Sequence, residues 1–206
     1  MKLPVSGSGG FQQAPAATHA ARCIKLIDLG TQQNEYQGAV TYKRQMIVVW
    51  ELPNELMTGE HEGKPFVVSK FYTFSMHENA TFRKDLQNWT GRILTDEEAA
   101  EYDVSSILDS ACMLSVVHNE KGKAKITSVM GLPKGMILPP RTNPIVLFSL
   151  DAFDESVFND FSDGLKAIIA KSPEYKLIMD CGGSESQQAP AQQDGDDGFQ
   201  DDQIPF

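Results

Sequence analysis

The chain has 206 residues and a mass of 22.7 kDa, which fits one ordinary domain with appendages. Hydrophobic residues make up 41% of it and charged residues 22%, so it can bury a core without disulfide staples. No apolar run approaches the ~18 residues that a membrane-spanning helix needs, and the N-terminus lacks the apolar stretch of a secretory signal. Three well-separated cysteines fit neither a zinc site nor a disulfide framework, so we expect a reducing, cytoplasmic location.

The formal net charge of −10 is unevenly distributed along the chain. Six acidic residues and no Lys or Arg follow residue 181, whereas residues 22–141 hold 15 acidic and 14 basic residues. An acidic total usually argues against nucleic-acid binding. Here much of the excess belongs to the C-terminal part, and the body that precedes it is nearly neutral.

The N-terminal half is predicted to be an arm followed by three strands. Residues 1–18 are rich in Gly, Ser, Pro, Gln and Ala, and we expect them to form a flexible arm. Residues 21–30, 40–52 and 66–76 are rich in β-branched and aromatic residues and are bounded by turn-forming residues. Each of these three segments is therefore predicted to be a strand.

The pattern then becomes helical, with apolar side chains at i, i+4 and i+7: Phe82, Leu86 and Trp89. We expect Asn79 or Thr81 to cap this helix and Gly91 to end it. A second short helix is predicted from Thr95, because the sequence TDEE has a capping-box pattern. Residues 104–108 are predicted to add a helical turn.

Two further strands are predicted over residues 111–119 and 124–131, joined as a hairpin by a turn at 120–123. The order β-β-β-α-β-β in about 110 residues is typical of an OB-fold, a five-stranded Greek-key barrel. We therefore predict a mainly β, OB-fold-like barrel domain over residues 19–135, with a helical insertion between strands three and four. An SH3-like or other small barrel is the alternative, although a long helix between strands three and four is less natural there.

The C-terminal part is predicted to be an extension of this barrel followed by a tail. Residues 145–150 are a strand candidate, and apolar residues between 153 and 169 recur at helical spacing. Residues 136–180 are thus expected to pack a strand and a C-terminal helix on the barrel. Hydrophobicity falls sharply over residues 181–206, which predicts a disordered acidic tail.

The tail ends in two acids and an apolar tip, with the sequence Asp201-Asp202-Gln203-Ile204-Pro205-Phe206. A segment that serves only as a linker does not need Ile and Phe at its exposed end. We interpret the tip as a peptide ligand, whose Phe206 enters a hydrophobic pocket while basic residues of the partner bind the carboxylates. Chance composition, or a segment that folds back on the body, is the alternative.

This tip resembles that of bacterial single-stranded-DNA-binding proteins, with Gln203 where the usual tip has a third acid. The body resembles bacteriophage single-stranded-DNA-binding proteins in the stretches ARCIKLIDLGTQ, WELP, FYTFSM and LQNWTGR. The resemblance implies a protein that coats single-stranded DNA without strong sequence preference in phage replication, recombination and repair, inside the bacterial host cell. It also implies that the tip recruits replication and recombination proteins.

A single-strand binder needs cations for phosphates and aromatic faces for bases. In OB-folds the second and third strands and the loops beside them form the binding face. The candidate DNA contacts are therefore basic and aromatic residues of these strands, the helix segment and the last hairpin: Lys43, Arg44, Trp50, Lys70, Tyr72, Phe74, Arg83, Lys84, Trp89, Arg92, Lys121, Lys123 and Lys125.

Because side chains alternate between the two faces of a strand, their spacing and neighbours rank the aromatic candidates for stacking on a base. Lys70, Tyr72 and Phe74 share one face of the third strand, which makes Tyr72 the leading candidate for stacking on a base. Trp50 and Trp89 each lie in an apolar pattern, which favours core packing over stacking.

The basic candidates are less clearly separated. Lys43 and Arg44 point to opposite faces of a regular strand, so both face DNA only if a bulge intervenes. The lysines between 121 and 125 fit a solvated hairpin and a nucleic-acid clamp equally well.

No catalytic constellation stands out, so we expect neither an enzyme nor a bound cofactor or metal. The four histidines are isolated, and neither GxxxxGK[ST] nor GxSxG occurs. Two alternatives stay open: a protein-interaction adaptor of the replication machinery, and a metal-dependent nuclease or recombination accessory enzyme with Glu51, Glu78 and Asp109 as metal ligands. The oligomeric state also stays open, a homo-oligomer included.

Overall fold

The architecture is that of a computed structural model, which describes residues 12–36 and 38–182. The strands are β1 (Thr18–Tyr36), β2 (Ala39–Leu56), β3 (Pro65–Thr73), β4 (Ala111–His118), β5 (Ala124–Gly131) and β6 (Val146–Phe148). The α-helices are α1 (Thr81–Thr90), α2 (Asp96–Ala100), α3 (Glu155–Asn159), α4 (Asp163–Lys171) and α5 (Pro173–Gly182), with 3-10 turns at Gly59–His61 and Val104–Ile107. The prediction of a mainly β protein with a helical insertion between the third and fourth strands is confirmed.

The strands form one sheet in the order β3-β2-β1-β4-β5, with antiparallel neighbours throughout this path. The short strand β6 lies off the path and pairs parallel with β1. Strands β3 and β5 approach within 8 Å between Cα atoms, but no ladder joins them in the part of the chain that the structure describes. The sheet is therefore open between its two ends.

Strand β1 connects the two halves of the sheet. Its first residues, Thr18–Arg22, pair with β4, and the β2 ladder begins at Arg22 and continues to Tyr36. Residues Lys25–Ile27 also pair with β6. The β1–β2 register shifts between Cys23 and Lys25 and again between Asp28 and Gly30. Such bulges bend a strand and increase its twist, which lets β1 serve both halves.

Alternate residues of β2 enter two separate apolar clusters. Met46, Val48 and Trp50 belong to the inner cluster, which is enclosed by β1–β5 and α1. Ile47 and Val49 belong to the outer cluster, in which residues of β6, α3 and α4 cover the other face: Phe148, Phe158, Leu165 and Ile169. A strand buried on both faces has a continuous apolar sequence, and this is why MIVVW shows no alternation.

The helix termini follow the sequence signals in part. Helix α1 ends as predicted at Gly91, whose φ of 68° is easily adopted by glycine. The predicted N-caps Asn79 and Thr81 are wrong, because Ala80 takes that position and no side chain caps the helix. The predicted capping box of α2 is confirmed, since Thr95 accepts from the Glu98 N–H and the Glu98 carboxylate accepts from the Thr95 N–H.

The predicted single C-terminal helix is wrong, because the segment folds as α3, α4 and α5. Pro173 is the first residue of α5, and the preceding Ser172 is extended (ψ 143°), since a residue before proline avoids the helical region. Residues of β6, α3 and α4 pack against β1 and β2 in the outer cluster. No helix in the described ranges is long and apolar enough to cross a membrane.

The last residues of the predicted N-terminal arm lie against the sheet. Ala14 is only 3% exposed, its carbonyl lies 2.8 Å from Nε2 of His118, and Gln13 Oε1 accepts a hydrogen bond from the Ala124 N–H at 3.0 Å. The chain is thus anchored from about residue 12, before β1 begins. The predicted tail after Gly182 lies outside the described residues.

Replacing Gly30 by alanine is expected to destabilise the fold by about 2–5 kcal/mol. Gly30 has a φ of +69°, which costs an L-residue ~1–2 kcal/mol. An added Cβ would also lie 2.5 Å from Cβ of Ser172 and 2.8 Å from Cδ1 of Leu150, an overpacking that costs about 1–3 kcal/mol more. Urea denaturation of the Gly30→Ala variant measures the change in the free energy of unfolding.

Gly122→Ala is the matched control for this prediction. Gly122 has a φ of +75°, but an added Cβ meets no atom within 4 Å, so only the backbone cost of about 1–2 kcal/mol is expected. Equal losses in the two variants would contradict the close packing of Ser172 and Leu150 against Gly30.

Candidate nucleic-acid interface

Both tryptophans of the predicted DNA-contact set lie in the inner cluster. Trp50 is 1% and Trp89 8% exposed, and their ring centroids are 6.1 Å apart. The Trp89 Nε1–H donates to the Ala111 carbonyl at 2.8 Å. The preference for core packing is confirmed, and neither ring is available to stack on a base.

Tyr72, the leading stacking candidate, is also buried, with 4% exposure. Its hydroxyl donates to Oδ2 of Asp85 at 2.8 Å, and Lys70 Nζ donates to the same oxygen at 2.7 Å. Burial raises the pKa of Tyr72 and keeps the phenol protonated. The prediction that Lys70 and Tyr72 face DNA is therefore wrong, because α1 covers this face of β3 and brings Asp85 onto it.

The basic residues of the helix segment divide into buried and exposed groups. The Arg83 side chain is 7% exposed and donates to the Asp96 carboxylate and to the carbonyls of Met76 and Leu94. Arg83 thus holds α1 to the loop before α2, which corrects its assignment as a DNA contact. Lys84 is exposed without an ion pair among the described residues, whereas Arg92, 67% exposed, makes only a surface pair with Glu98 at 3.1 Å.

Arg44 belongs to a structural ion-pair network. Its Nε and Nη2 donate to the two carboxylate oxygens of Asp28 at 3.2 and 2.5 Å, and Nη2 also donates to Asp151 at 2.8 Å. The bond to Asp28 raises the pKa of the Arg44 guanidinium. Asp28 is buried and also accepts from the N–H groups of Gly30 and Leu150, so the network fixes the turn after β6 against the sheet.

The end of the β1–β2 hairpin, residues 31–44, extends beyond the rest of the sheet, and we name it the hairpin arm. The last ladder pair between β2 and β3 is Gln45 with Thr73, whereas the β1–β2 ladder continues to Tyr36 and Ala39. The arm is thus a two-stranded ribbon with both faces free of the two apolar clusters.

The hairpin arm presents aromatic and basic side chains to solvent. Tyr42 is 67% exposed, and Lys43 is exposed with no ion pair among the described residues. At the base of the arm Phe74 is 44% exposed, and Arg44 Cζ lies 5.3 Å from its ring centroid. Sequence reasoning omitted Tyr42 from the contact set, although an aromatic residue in the polar run TYKRQ signals an exposed ring.

The lysines of the last hairpin lie at the opposite end of the sheet from the arm. Because β1 and β4 are antiparallel neighbours, the turns that follow them are at opposite ends. Lys121 and Lys125 are exposed and Lys123 is half-buried, near the anchored residues 12–14. The structure therefore does not join Lys43 and the Lys121–Lys125 group into one patch.

The residues of the alternative metal site are not brought together. Glu51 is fully buried, and its carboxylate accepts hydrogen bonds from the Thr142 N–H, the Asn143 N–H and the Asn143 side-chain amide at 2.6–2.9 Å. Within the described residues no group of three or more His, Cys, Asp or Glu side chains could hold a metal ion. The proposed ligand set of Glu51, Glu78 and Asp109 is therefore not assembled.

Comparison with known proteins adds no family to these observations: no protein-family model matches the chain, and no curated protein matches it significantly. The predicted partner-binding tip, Asp201, Asp202, Ile204, Pro205 and Phe206, lies outside the described residues. Its role stays a sequence-based prediction. The functional conclusion consequently depends on the strand order, the exposed side chains of the hairpin arm and the tip sequence.

Tyr72→Phe is expected to lower the free energy of unfolding by about 1–2 kcal/mol, because it removes one buried hydrogen bond. Asp85 keeps its bond to Lys70, so the fold should survive. Affinity for oligo-dT, measured by fluorescence anisotropy, is expected to stay unchanged. Lost affinity with unchanged stability would instead support a stacking role for Tyr72.

Proposed function

We propose that the protein is a non-catalytic single-stranded-DNA-binding protein that coats DNA without strong sequence preference. The observation that carries this proposal is the exposure of Tyr42 and Lys43 on the hairpin arm, with Phe74 and the partly exposed Arg44 at its base. Every base has a face on which an aromatic ring can stack, and every nucleotide has a phosphate for a cation. Recognition by these two contacts is therefore independent of sequence.

The strand order supports an OB-fold as the body of this protein. The path β3-β2-β1-β4-β5, the approach of β3 to β5 and the helix between β3 and β4 fit a partly open five-stranded Greek-key barrel. OB-folds bind oligonucleotides with strands two and three and with the loop between strands one and two. The hairpin arm is the counterpart of that loop.

The C-terminal extension changes the path that DNA would follow on such a barrel. Phe148, Leu165 and Ile169 cover the outer face of β1 and β2, and Val67 and Phe71 of β3 are partly buried against the same cluster. Much of the face that strands two and three would offer is thus occupied. We therefore place the strand at the arm end of the sheet, over Tyr42 and Phe74.

The acidic tail supplies the second part of the proposal. Its tip resembles the partner-binding tip of bacterial single-stranded-DNA-binding proteins, and the stretches of the body that resemble phage proteins support a role in phage replication, recombination and repair. In this proposal the tip recruits replication and recombination enzymes to the coated strand. A tethered ligand of this kind raises the local concentration of its partner without a large interface.

Tyr42→Ala is expected to weaken oligo-dT binding by ~1–3 kcal/mol, the cost of losing one stacked ring. The Tyr42→Phe variant keeps the ring and should retain the affinity. Fluorescence anisotropy with labelled oligo-dT at low salt measures both variants. Absence of binding by the unmodified protein would refute the proposed function and favour an adaptor.

Lys43→Gln is expected to reduce the salt dependence of oligo-dT binding. Each phosphate contact with single-stranded DNA contributes ~0.7 to the slope of log K against log salt, so the slope should fall by about that amount. Lys176→Gln, which removes an exposed charge of α5, is the matched control and should leave the slope unchanged. Equal slopes for the two variants would exclude Lys43 from the interface.

Deletion of residues 201–206 is expected to abolish recovery of host replication proteins on the immobilised protein, since both the acids and Phe206 are removed. The DNA-binding body is untouched by this deletion, so oligo-dT binding serves as the internal control. Replacement of Phe206 alone by Ala should give most of the same loss. Unchanged recovery from either variant would contradict the tether.

A further inference from the structure

A cleft lies where β1 passes from its ladder with β4 to its ladder with β2. This place is far from the hairpin arm. Its volume is about 650 Å³, and its lining residues come from β1, the turn before β4 and the Pro-rich segment before β6: Arg22, Asp109, Pro140, Arg141, Thr142, Asn143 and Pro144. Arg22 precedes the arm by nine residues of strand, or about 25–30 Å. The cleft is therefore separate from the proposed stacking site.

One carboxylate holds two guanidinium groups side by side in this cleft. Arg22 Nη1 donates to the carbonyl oxygen and to Oδ1 of Asp109 at 2.7 and 3.3 Å, while Arg141 Nη1 donates to Oδ2 of Asp109 at 3.0 Å. Asp109 adopts a φ of 62°, and its N–H donates to the Cys23 carbonyl at 2.9 Å. Both carboxylate oxygens of Asp109 are thus occupied, each by a different arginine.

Hydrogen-bond donors remain in the cleft after these bonds are made. Neither Arg22 nor Arg141 uses its Nε or Nη2 in a hydrogen bond to any described residue. Arg22 Nε is buried without a partner, so a ligand in the cleft cannot reach it. Arg22 Nη2 is not among the buried atoms and Arg141 is 39% exposed, so the donors left for a ligand are Arg22 Nη2 and the Nε and Nη2 groups of Arg141.

The carboxylates near the cleft do not supply acceptors for these donors. Glu51 opposes Arg22 in the β1–β2 ladder, but its oxygens accept three N–H groups from Thr142 and Asn143. These bonds also fix the Pro-rich wall, whose prolines further restrict the backbone. Glu51 and Asp109 place two carboxylates beside the two guanidinium groups, so the cleft holds equal numbers of acidic and basic side chains and keeps unused donors.

We propose that this cleft binds a phosphate group between Nη2 of Arg22 and the unused Nε–Nη2 edge of Arg141. A phosphate offers several acceptor oxygens and no obligatory donor, and a guanidinium fork such as that of Arg141 binds it through a pair of parallel hydrogen bonds. A single phosphate can therefore contact both arginines at once. The group is either a phosphodiester of a nucleic-acid strand or the phosphate of a free nucleotide, for whose sugar and base the cleft has room.

NMR of the arginine Nε–Hε groups in the full-length protein tests the site, with inorganic phosphate as the probe in phosphate-free buffer. Saturable shifts of the Arg22 and Arg141 signals are expected. Arg141→Gln should lower the phosphate affinity about tenfold to hundredfold, the loss of charge-assisted hydrogen bonds. Lys176→Gln, an exposed charge on α5, should leave the affinity unchanged.

Two results would overturn the site: shifts that grow linearly with phosphate without saturating, or an affinity that survives in Arg141→Gln. Arg141 is 39% exposed, so this variant is expected to fold, and its amide spectrum verifies this. Arg141→Lys is the second variant, because it keeps the charge and loses the fork. An affinity equal to that of the unmodified protein would also contradict the proposal.

Titrations with oligo-dT and with thymidine monophosphate then identify the source of the phosphate. If oligo-dT saturates the arginine signals together with those of Tyr42, the site binds the DNA backbone. If only the mononucleotide saturates them, the site binds a free phosphate ester. Failure of all three probes refutes the phosphate site, whereas failure of oligo-dT alone to shift either region refutes the proposed function and leaves the site intact.

Discussion

Burial of both faces of the β1–β2–β3 part of the sheet is the constraint on which the other features depend. A fully buried large apolar side chain contributes about 1.5–3 kcal/mol to the stability of the fold. The apolar residues of β2 therefore stabilise the fold from both faces of the strand. A buried charged residue on these strands then requires a partner of its own. Lys70 has Asp85 from α1, Asp28 has Arg44, and Glu51 has the backbone of residues 142–143. These polar contacts are also the contacts that attach α1 and the C-terminal extension to the sheet.

The same constraint explains where function can lie. Side chains on the faces of β1–β3 are committed to one of the two apolar clusters, so exposed aromatic rings occur where the sheet ends. The hairpin arm is one such place, and its polar sequence would be unsuitable between two apolar layers. The residues that line the arginine cleft likewise belong to neither apolar cluster. The two proposed binding regions therefore lie outside the faces that the clusters bury.

The sequence predicted the strands and helices better than it predicted which of their faces are buried. Strands β1–β5, the end of α1 at Gly91 and the capping box at Thr95 were recognised because local chemistry determines them. The stacking role of Tyr72 failed because period two shows which residues share a face but not which face is interior. Composition does not distinguish the two faces of a strand that is buried on both sides. Lys70 is a charged residue on the inner face of β3, and it wrongly indicated that this face is exposed to solvent. The boundary between α4 and α5 follows from Pro173, which lies beyond the apolar residues 153–169 from which a single helix was predicted.

The parallel pairing of β6 with β1 also determines when the protein can fold during its synthesis. Residues 25–27 can pair with residues 146–148 only after the latter have been synthesised. Contacts between residues so far apart in sequence are also slow to form, because the intervening chain loses entropy. Until α4 has left the ribosome, the outer side of β1 and β2 exposes Ile24, Ile27 and Ile47 on a nascent sheet. Such a surface is prone to aggregate. A nascent chain that ends after β5 therefore exposes this apolar surface to solvent, although strands β1–β5 have already been made.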